Sequence, residues 1–141
     1  MPAPQKLLQA LDDFRSLGDR ELQSELLIEY AERFEQVPET VAKRPFANEH
    51  RVPACESEAY VWAKRSGEGV QFYFAVENPQ GISAKALAVI LNETISGAGV
   101  EEILSISEDL VYDLFGRNIS MGKGQGLMGM VRMVKALAKT V

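Results

Sequence analysis

The order of segments predicts an α+β fold: a small antiparallel sheet of about three strands with helices packed on one face. Three observations carry this. Residues 3–34 repeat apolar side chains at helical spacing. Residues 58–77 hold two strand-like runs around the turn signal Ser66-Gly67-Glu68-Gly69. From residue 83 onward the spacing returns to helical. Segregation of this kind places helices against one face of an antiparallel sheet. The 141 residues are most simply one domain, 1–141. At this size folding hides ~70% of the extended chain's surface, enough for a core without disulfides or metal.

Taken in order, residues 3–17 form a helix through Leu7, Leu8, Leu11 and Phe14, with Asp12, Asp13 and Arg15 opposite. Gly18 breaks it, and Asp19 is the N-cap of a second helix carrying Leu22, Leu26, Leu27, Tyr30 and Phe34. The short connection predicts that the two pair as a hairpin. Residues 35–50, with Pro38 and Pro45, read as a long loop, a length often tied to function. Residues 58–65 and 70–77 make a hairpin, Val70, Phe72, Phe74 and Val76 sharing one face. Residues 48–53 could add a third strand at an edge.

Asn78-Pro79-Gln80-Gly81 is a turn, and Ser83 is expected to cap a helix over 84–96 with Leu87, Ile90, Leu91 and Ile95 inward, ended by Gly97 and Gly99. Short helices follow over 100–106 and 108–115, the second capped by Ser107. Residues 116–126 are glycine-rich and expected to be mobile. A last helix buries Leu127, Met130, Val131, Val134 and Leu137, with Arg132, Lys135 and Lys139 on its wet side. Met121, Met128, Met130 and Met133 read as packing rather than metal ligands, and Tyr60 and Trp62 as packing rather than recognition.

Composition excludes several classes. The net charge of −5 disfavours nucleic acid as a partner. No run approaches the ~18 apolar residues of a membrane span, and the segment from Met1 to Lys6 lacks the apolar core of a secretion signal. One cysteine makes no internal disulfide, so a reducing, cytoplasmic setting is expected. One Cys and one His do not furnish the roughly four soft ligands of a structural zinc or Fe–S site.

That single thiol, Cys55, follows Pro53 at the end of the long loop and precedes the first strand. Pro53 fixes its own φ and biases Val52 to an extended form. The thiolate is the reactive form, and its population follows local charge and burial. Arg51, and at greater remove Lys43, Arg44 and His50, would favour it; Glu56 and Glu58 would oppose it. Cys55 could also be a small buried hydrophobe, since free cysteine is among the most buried residue types. Its neighbours Pro, Glu, Ser and Glu are those of a loop. His50 is the one candidate base for protease-like chemistry, and reads as a surface residue. Ser57 reads as a turn hydroxyl or a donor to the thiolate; Lys123 as a solvated charge or an anchor near the sulfur; Gln125 and Gly126 as the start of the last helix.

The stretch Val52-Pro53-Ala54-Cys55-Glu56-Ser57-Glu58-Ala59-Tyr60-Val61, placed after two N-terminal helices, resembles the SufE family of sulfur acceptors. Lys85-Ala86-Leu87-Ala88-Val89 and Ile119-Ser120-Met121-Gly122-Lys123-Gly124-Gln125-Gly126-Leu127 echo two further stretches of that family, so the likeness runs in order along nearly the whole chain. The chain departs at Ala54 and Ala86, where the family has glycine, at Met121 (proline), at Lys123 (arginine) and at Pro79-Gln80 (a Ser-Asp pair).

The resemblance implies the fold shared with IscU- and NifU-type scaffolds. It also implies a function. The protein would bind and stimulate a SufS-type cysteine desulfurase, take persulfide sulfur on Cys55, and pass it to a SufBCD-type scaffold for Fe–S cluster assembly. Arg51, Ser57 and Lys123 would support Cys55. Pyridoxal phosphate would belong to the desulfurase; this chain would need no cofactor or metal and would not itself be an enzyme. An interaction module with an inert cysteine, a cluster scaffold and a redox sensor are the competing classes, and a homodimer stays open.

Overall fold

The computed structural model describes residues 2–141; Met1 of the N-terminal stretch lies outside them. Helix α1 (Gln5–Ser16) buries Leu7, Leu11 and Phe14, the stripe expected from their spacing, while Leu8 is exposed. Gly18 ends it at φ +64°, the left-handed conformation that glycine adopts without a Cβ penalty. The Asp19 carboxylate accepts from the Glu21 amide at 2.8 Å and caps α2 (Arg20–Glu32). In α2, Leu27 is buried and Leu26 and Tyr30 pack at the margin, but Leu22 is exposed and Phe34 lies beyond the helix. The predicted α1–α2 hairpin is not the main packing: both helices lie chiefly against α3 (Ile82–Ile95).

Helix α3 is the central element. Ala84, Ala86, Leu87, Ala88, Val89, Ile90, Leu91 and Ile95 are all buried, an almost all-round apolar surface that belongs inside a fold. It begins earlier than predicted. Gly81 is its N-cap residue, its carbonyl accepting from Lys85 at 3.0 Å, and Ser83 sits inside the first turn and caps nothing.

The sheet has two strands. Strands β1 (Ala59–Ser66) and β2 (Gly69–Val76) pair antiparallel from Ala59↔Val76 to Ser66↔Gly69 around a two-residue turn, with Gly67 at φ +60°. Ala59, Val61, Ala63, Val70, Phe72, Phe74 and Val76 face the helices, so helices on one face and the predicted alternation both hold. The third strand does not form. Residues Asn48–His50 make a 3₁₀ turn, and pairing beyond it is the single bridge Arg51↔Tyr60 with the Val52 amide on the Ala59 carbonyl at 2.8 Å. Pro53 has no N–H to extend a ladder, and Ala54 at φ +58° turns the chain away.

The second sheet face is covered by the long loop rather than by water. Val37, Val41, Ala42 and Phe46 pack on Tyr60, Trp62, Tyr73 and Ala75. The Val37 amide donates to the Phe74 carbonyl at 2.8 Å, and the Val76 amide donates to Gln36 Oε1 at 3.1 Å. Arg44 clamps Glu77 with two bonds, of 2.8 and 3.1 Å. The rings of Phe46 and Trp62 meet edge-on at 5.0 Å. Tyr60 and Trp62 are thus packing residues, as their neighbours in sequence suggest.

Helices α4 (Val100–Leu104) and α5 (Leu110–Phe115) are short, and Ser107 Oγ accepts from the Asp109 amide at 3.1 Å before α5. Helix α6 runs Met121–Ala138, with Ser120 Oγ accepting from the Lys123 amide. Residues 121–126, expected to be a mobile glycine-rich stretch, are its first turns. Met130 is buried and Met128 and Met133 pack on the core, but Met121 is 79% exposed and lies outside the core cluster. Lys135 reaches the Ile106 carbonyl at 2.7 Å and Arg132 pairs with Glu108 at 2.9 Å. Among the described residues no helix is long and apolar enough to cross a membrane.

Candidate functional site

The segment from Val52 to Ala59 is a closed loop. Its base is the Val52–Ala59 bond, its inner turn the Glu58 amide on the Cys55 carbonyl at 3.2 Å. Its far limb is tied to the chain leaving β2: Glu77 and Asn78 amides donate to the Glu58 and Ser57 carbonyls, each at 3.1 Å. Ala54 (φ +58°) and Glu58 (φ +51°) both take the left-handed conformation on either side of the thiol. Glycine takes this conformation without a Cβ penalty, so Ala54 holds it at some strain.

Three glycines let other elements come close under the loop. A Cβ on Gly126 would stand 3.1 Å from Cys55 Cα and 3.2 Å from the Ala54 carbonyl. One on Gly129 would meet Val52 Cγ1 at 3.2 Å and the Pro53 carbonyl at 3.3 Å. One on Gly81 would meet Ser57 Cβ and Oγ at 2.9 Å. Helix α6 therefore serves as the floor of the thiol loop, and Gly126 does more than start a helix. Its signal in the sequence is the run Gly122, Gly124, Gly126 and Gly129 within a helical pattern, where glycine costs helix stability unless close packing requires it.

Cys55 is 8% exposed and lines a cleft of about 240 Å³. The backbone has the loop character expected, but the side chain is turned inward. The walls are Glu56 and Ser57, the start of α3 (Gly81 to Ala84), and the start of α6 (Gly122, Lys123, Gly126, Leu127). The glycine-rich start of α6 lines the cleft; the apolar sheet face does not, since α3 and α6 occupy it. Two helix N-termini thus border one cavity. Helix α3 has no side-chain cap, and Ser83 and Ala84, with amides among its orphan donors, are cleft residues. Such an edge favours a negative group.

The supporting residues separate into two groups. Lys123 and Ser57 share the cleft with Cys55. Lys123 is exposed and pairs with no carboxylate among the described residues, and Ser57 Oγ has no hydrogen-bond partner there. Arg51 is not in the cleft. It lines a groove of about 470 Å³ on the other side of the loop, one that Cys55 also borders.

Of the other charges considered, only Glu56 walls the cleft with Cys55. Arg44 is held by Glu77, whose carboxylate raises the guanidinium pKa. His50 Nδ1 lies 2.9 Å from the Val61 carbonyl and its ring stacks on Trp62 at 5.2 Å, so it is a structural residue and not a base for Cys55. Lys43 lines neither the cleft nor the groove, and Glu58 supplies a backbone turn. Glu56 lies over the first turn of α6, 3.9 Å from the Cβ position of Gly122. Among the described residues no three His, Cys, Asp or Glu side chains gather as a metal cluster would need.

A solved structure with the same architecture is titled the solution structure of a hypothetical protein from Thermus thermophilus. It aligns over 98% of this chain and 96% of its own, at 29% sequence identity and a TM-score of 0.77. No curated protein matches the chain. Residues 8–138 match the family described as SufE, Fe-S metabolism associated domain. That match covers nearly every element described above, including the thiol loop and both helices that border its cleft, and the chain therefore belongs to the SufE family.

Proposed function

We propose that the protein is a persulfide carrier: Cys55 accepts sulfur from a SufS-type cysteine desulfurase, stimulates its turnover, and hands the sulfur to a SufBCD-type scaffold. A role in Fe–S metabolism follows from the family; the carrier chemistry is our reading of the site. The observation that carries it is the placement of the one thiol of the chain on a tied loop at a cleft bordered by two helix N-termini.

The chemistry balances without a cofactor. The Cys55 thiolate attacks the outer sulfur of the donor persulfide, a new S–S bond forms on Cys55, the donor's S–S bond breaks, and the donor cysteine leaves as thiolate. The pair exchanges one sulfane sulfur with no net oxidation. The persulfide on Cys55 becomes an anion once its terminal S–H gives up its proton, and uncapped amides and Lys123 are suitable neighbours for one. Sheltering matters because an exposed persulfide is lost to reductant or over-oxidation. Pyridoxal phosphate stays with the desulfurase, and a reducing cytoplasm suits a carrier of this kind.

The burial of Cys55 favours a second reading, an interaction module whose cysteine only fills space. Incubation with desulfurase, cysteine and pyridoxal phosphate separates the two. Sulfur label on Cys55 supports the carrier; tight binding without label supports the module.

A further inference from the structure

Glu77 is tied twice. Its amide donates to the Glu58 carbonyl at 3.1 Å, and the next amide, of Asn78, donates to the Ser57 carbonyl at the same distance. Its carboxylate is gripped by two arms of the Arg44 guanidinium, at 2.8 and 3.1 Å. Strand β2 ends at Val76, opposite Ala59, so the ladder no longer holds the chain at Glu77. Arg44 is itself anchored on the sheet's second face. Its guanidinium lies 5.6 Å over the Phe46 ring, and Phe46 packs on Tyr60 and Trp62 at 5.1 and 5.0 Å. We infer that Arg44 is a positioning residue for the thiol: it holds Glu77 against the far limb of the thiol loop, and so sets how readily Cys55 leaves its cleft.

The base of the loop is not the part that gives. Val52 and Ala59 are fully buried and joined by a bond of 2.8 Å. The far limb ends on Glu58, exposed and left-handed at φ +51°, a conformation that persists only where its surroundings hold it. Local opening begins where backbone bonds are few and near solvent. The Glu77 and Asn78 bonds meet that description, and their opening frees the limb next to Cys55, whose side chain is 8% exposed. A forked grip of guanidinium on carboxylate fixes direction as well as distance. It therefore restricts the swing of Glu77 and with it both amides. The long loop thereby gains a part in the chemistry, since whatever moves Arg44 loosens the thiol loop. Only the consequence for sulfur rests on the carrier reading; the exposure of the thiol does not.

Alkylation of the folded chain by iodoacetamide reads the clamp without a desulfurase. Arg44→Ala should quicken the reaction of Cys55 about two- to fivefold, the shift that loss of an exposed ion pair gives a local equilibrium. Loss of a cation disfavours the thiolate, so a faster rate comes from exposure and not from charge. The quickened rate should stay flat in low urea, because a local opening exposes little surface. Hydrogen exchange at the Glu77 and Asn78 amides should quicken by the same factor. Arg44→Lys, which keeps the charge and loses the fork, should fall between parent and Arg44→Ala. Arg33→Ala breaks a similar forked pair with Glu93, at 3.0 and 3.1 Å, between α2 and α3, and should leave Cys55 at the parent rate. The inference is overturned if Arg44→Ala leaves alkylation unchanged, if its faster rate climbs steeply with urea as global unfolding would, or if Arg33→Ala quickens alkylation equally. On the carrier reading, Arg44→Ala also shortens the life of a Cys55 persulfide in thiol reductant. A parent chain that takes up no sulfur would end that reading, and the alkylation rates would still decide the clamp.

Discussion

Ala54 shows how one residue can work against the conformation its position demands. It sits at φ +58° immediately before the thiol. A left-handed L-residue costs about 1–2 kcal/mol, while glycine's extra freedom in the unfolded chain returns about 0.5–1 kcal/mol of that. Ala54→Gly should therefore stabilise the protein by about 0.5–1 kcal/mol, read as a shift of the urea midpoint; destabilisation would mean that Ala54 makes a contact worth more than the backbone strain. Lys123 is a different case. It is exposed, carries no partner carboxylate and borders the cleft, so Lys123→Glu should leave stability within the ~0.5 kcal/mol of ordinary surface changes. Sulfur acceptance should slow about fivefold, because a negative charge then faces an anionic product. Unchanged kinetics would remove Lys123 from the site.

Among the elements, α6 links fold and chemistry most directly, and it was the hardest to read. The strands, α1 and the inner face of α3 were legible because alternation and helical spacing are local properties of a few residues. The opening turns of α6 were not. Gly122, Gly124 and Gly126 lower helix propensity, and what offsets that cost is the thiol loop resting against Gly126 and Gly129, a contact between segments some seventy residues apart. The sheet's covered second face was hidden for the same reason: nothing within residues 35–50 announces that Phe46 will meet Trp62. Gly126→Ala tests the floor. Alanine gains about 1 kcal/mol of helix propensity, but its Cβ would press on Cys55 Cα at 3.1 Å and on the Ala54 carbonyl at 3.2 Å, backbone atoms that no rotamer change can move. The loop has to lift. Alkylation of Cys55 by iodoacetamide should quicken several-fold while the melting temperature changes little; an unchanged alkylation rate would show that Gly126 does not set the thiol's burial.

At the scale of the whole molecule, a helical layer on one sheet face and a loop on the other hold a short tied segment over a cavity. The position of Cys55 in the chain and its loop-like neighbours marked it as a candidate nucleophile, and the family was legible in the residues around it. The cleft was not, because it is made where the starts of α3 and α6 meet the thiol loop. Arg51 shows the same limit from the other side: four residues from Cys55 in sequence, it borders a different groove. The function we propose for this assembly is transfer of a single sulfur atom. The decisive measurement is intact-protein mass spectrometry after turnover with a SufS-type desulfurase, cysteine and pyridoxal phosphate. The parent chain should gain the mass of one sulfur, mapped to Cys55 and removed by thiol reductant, and folded Cys55→Ser should bind the desulfurase without any gain. A parent chain that binds the desulfurase during turnover and never acquires sulfur at Cys55 would contradict the account.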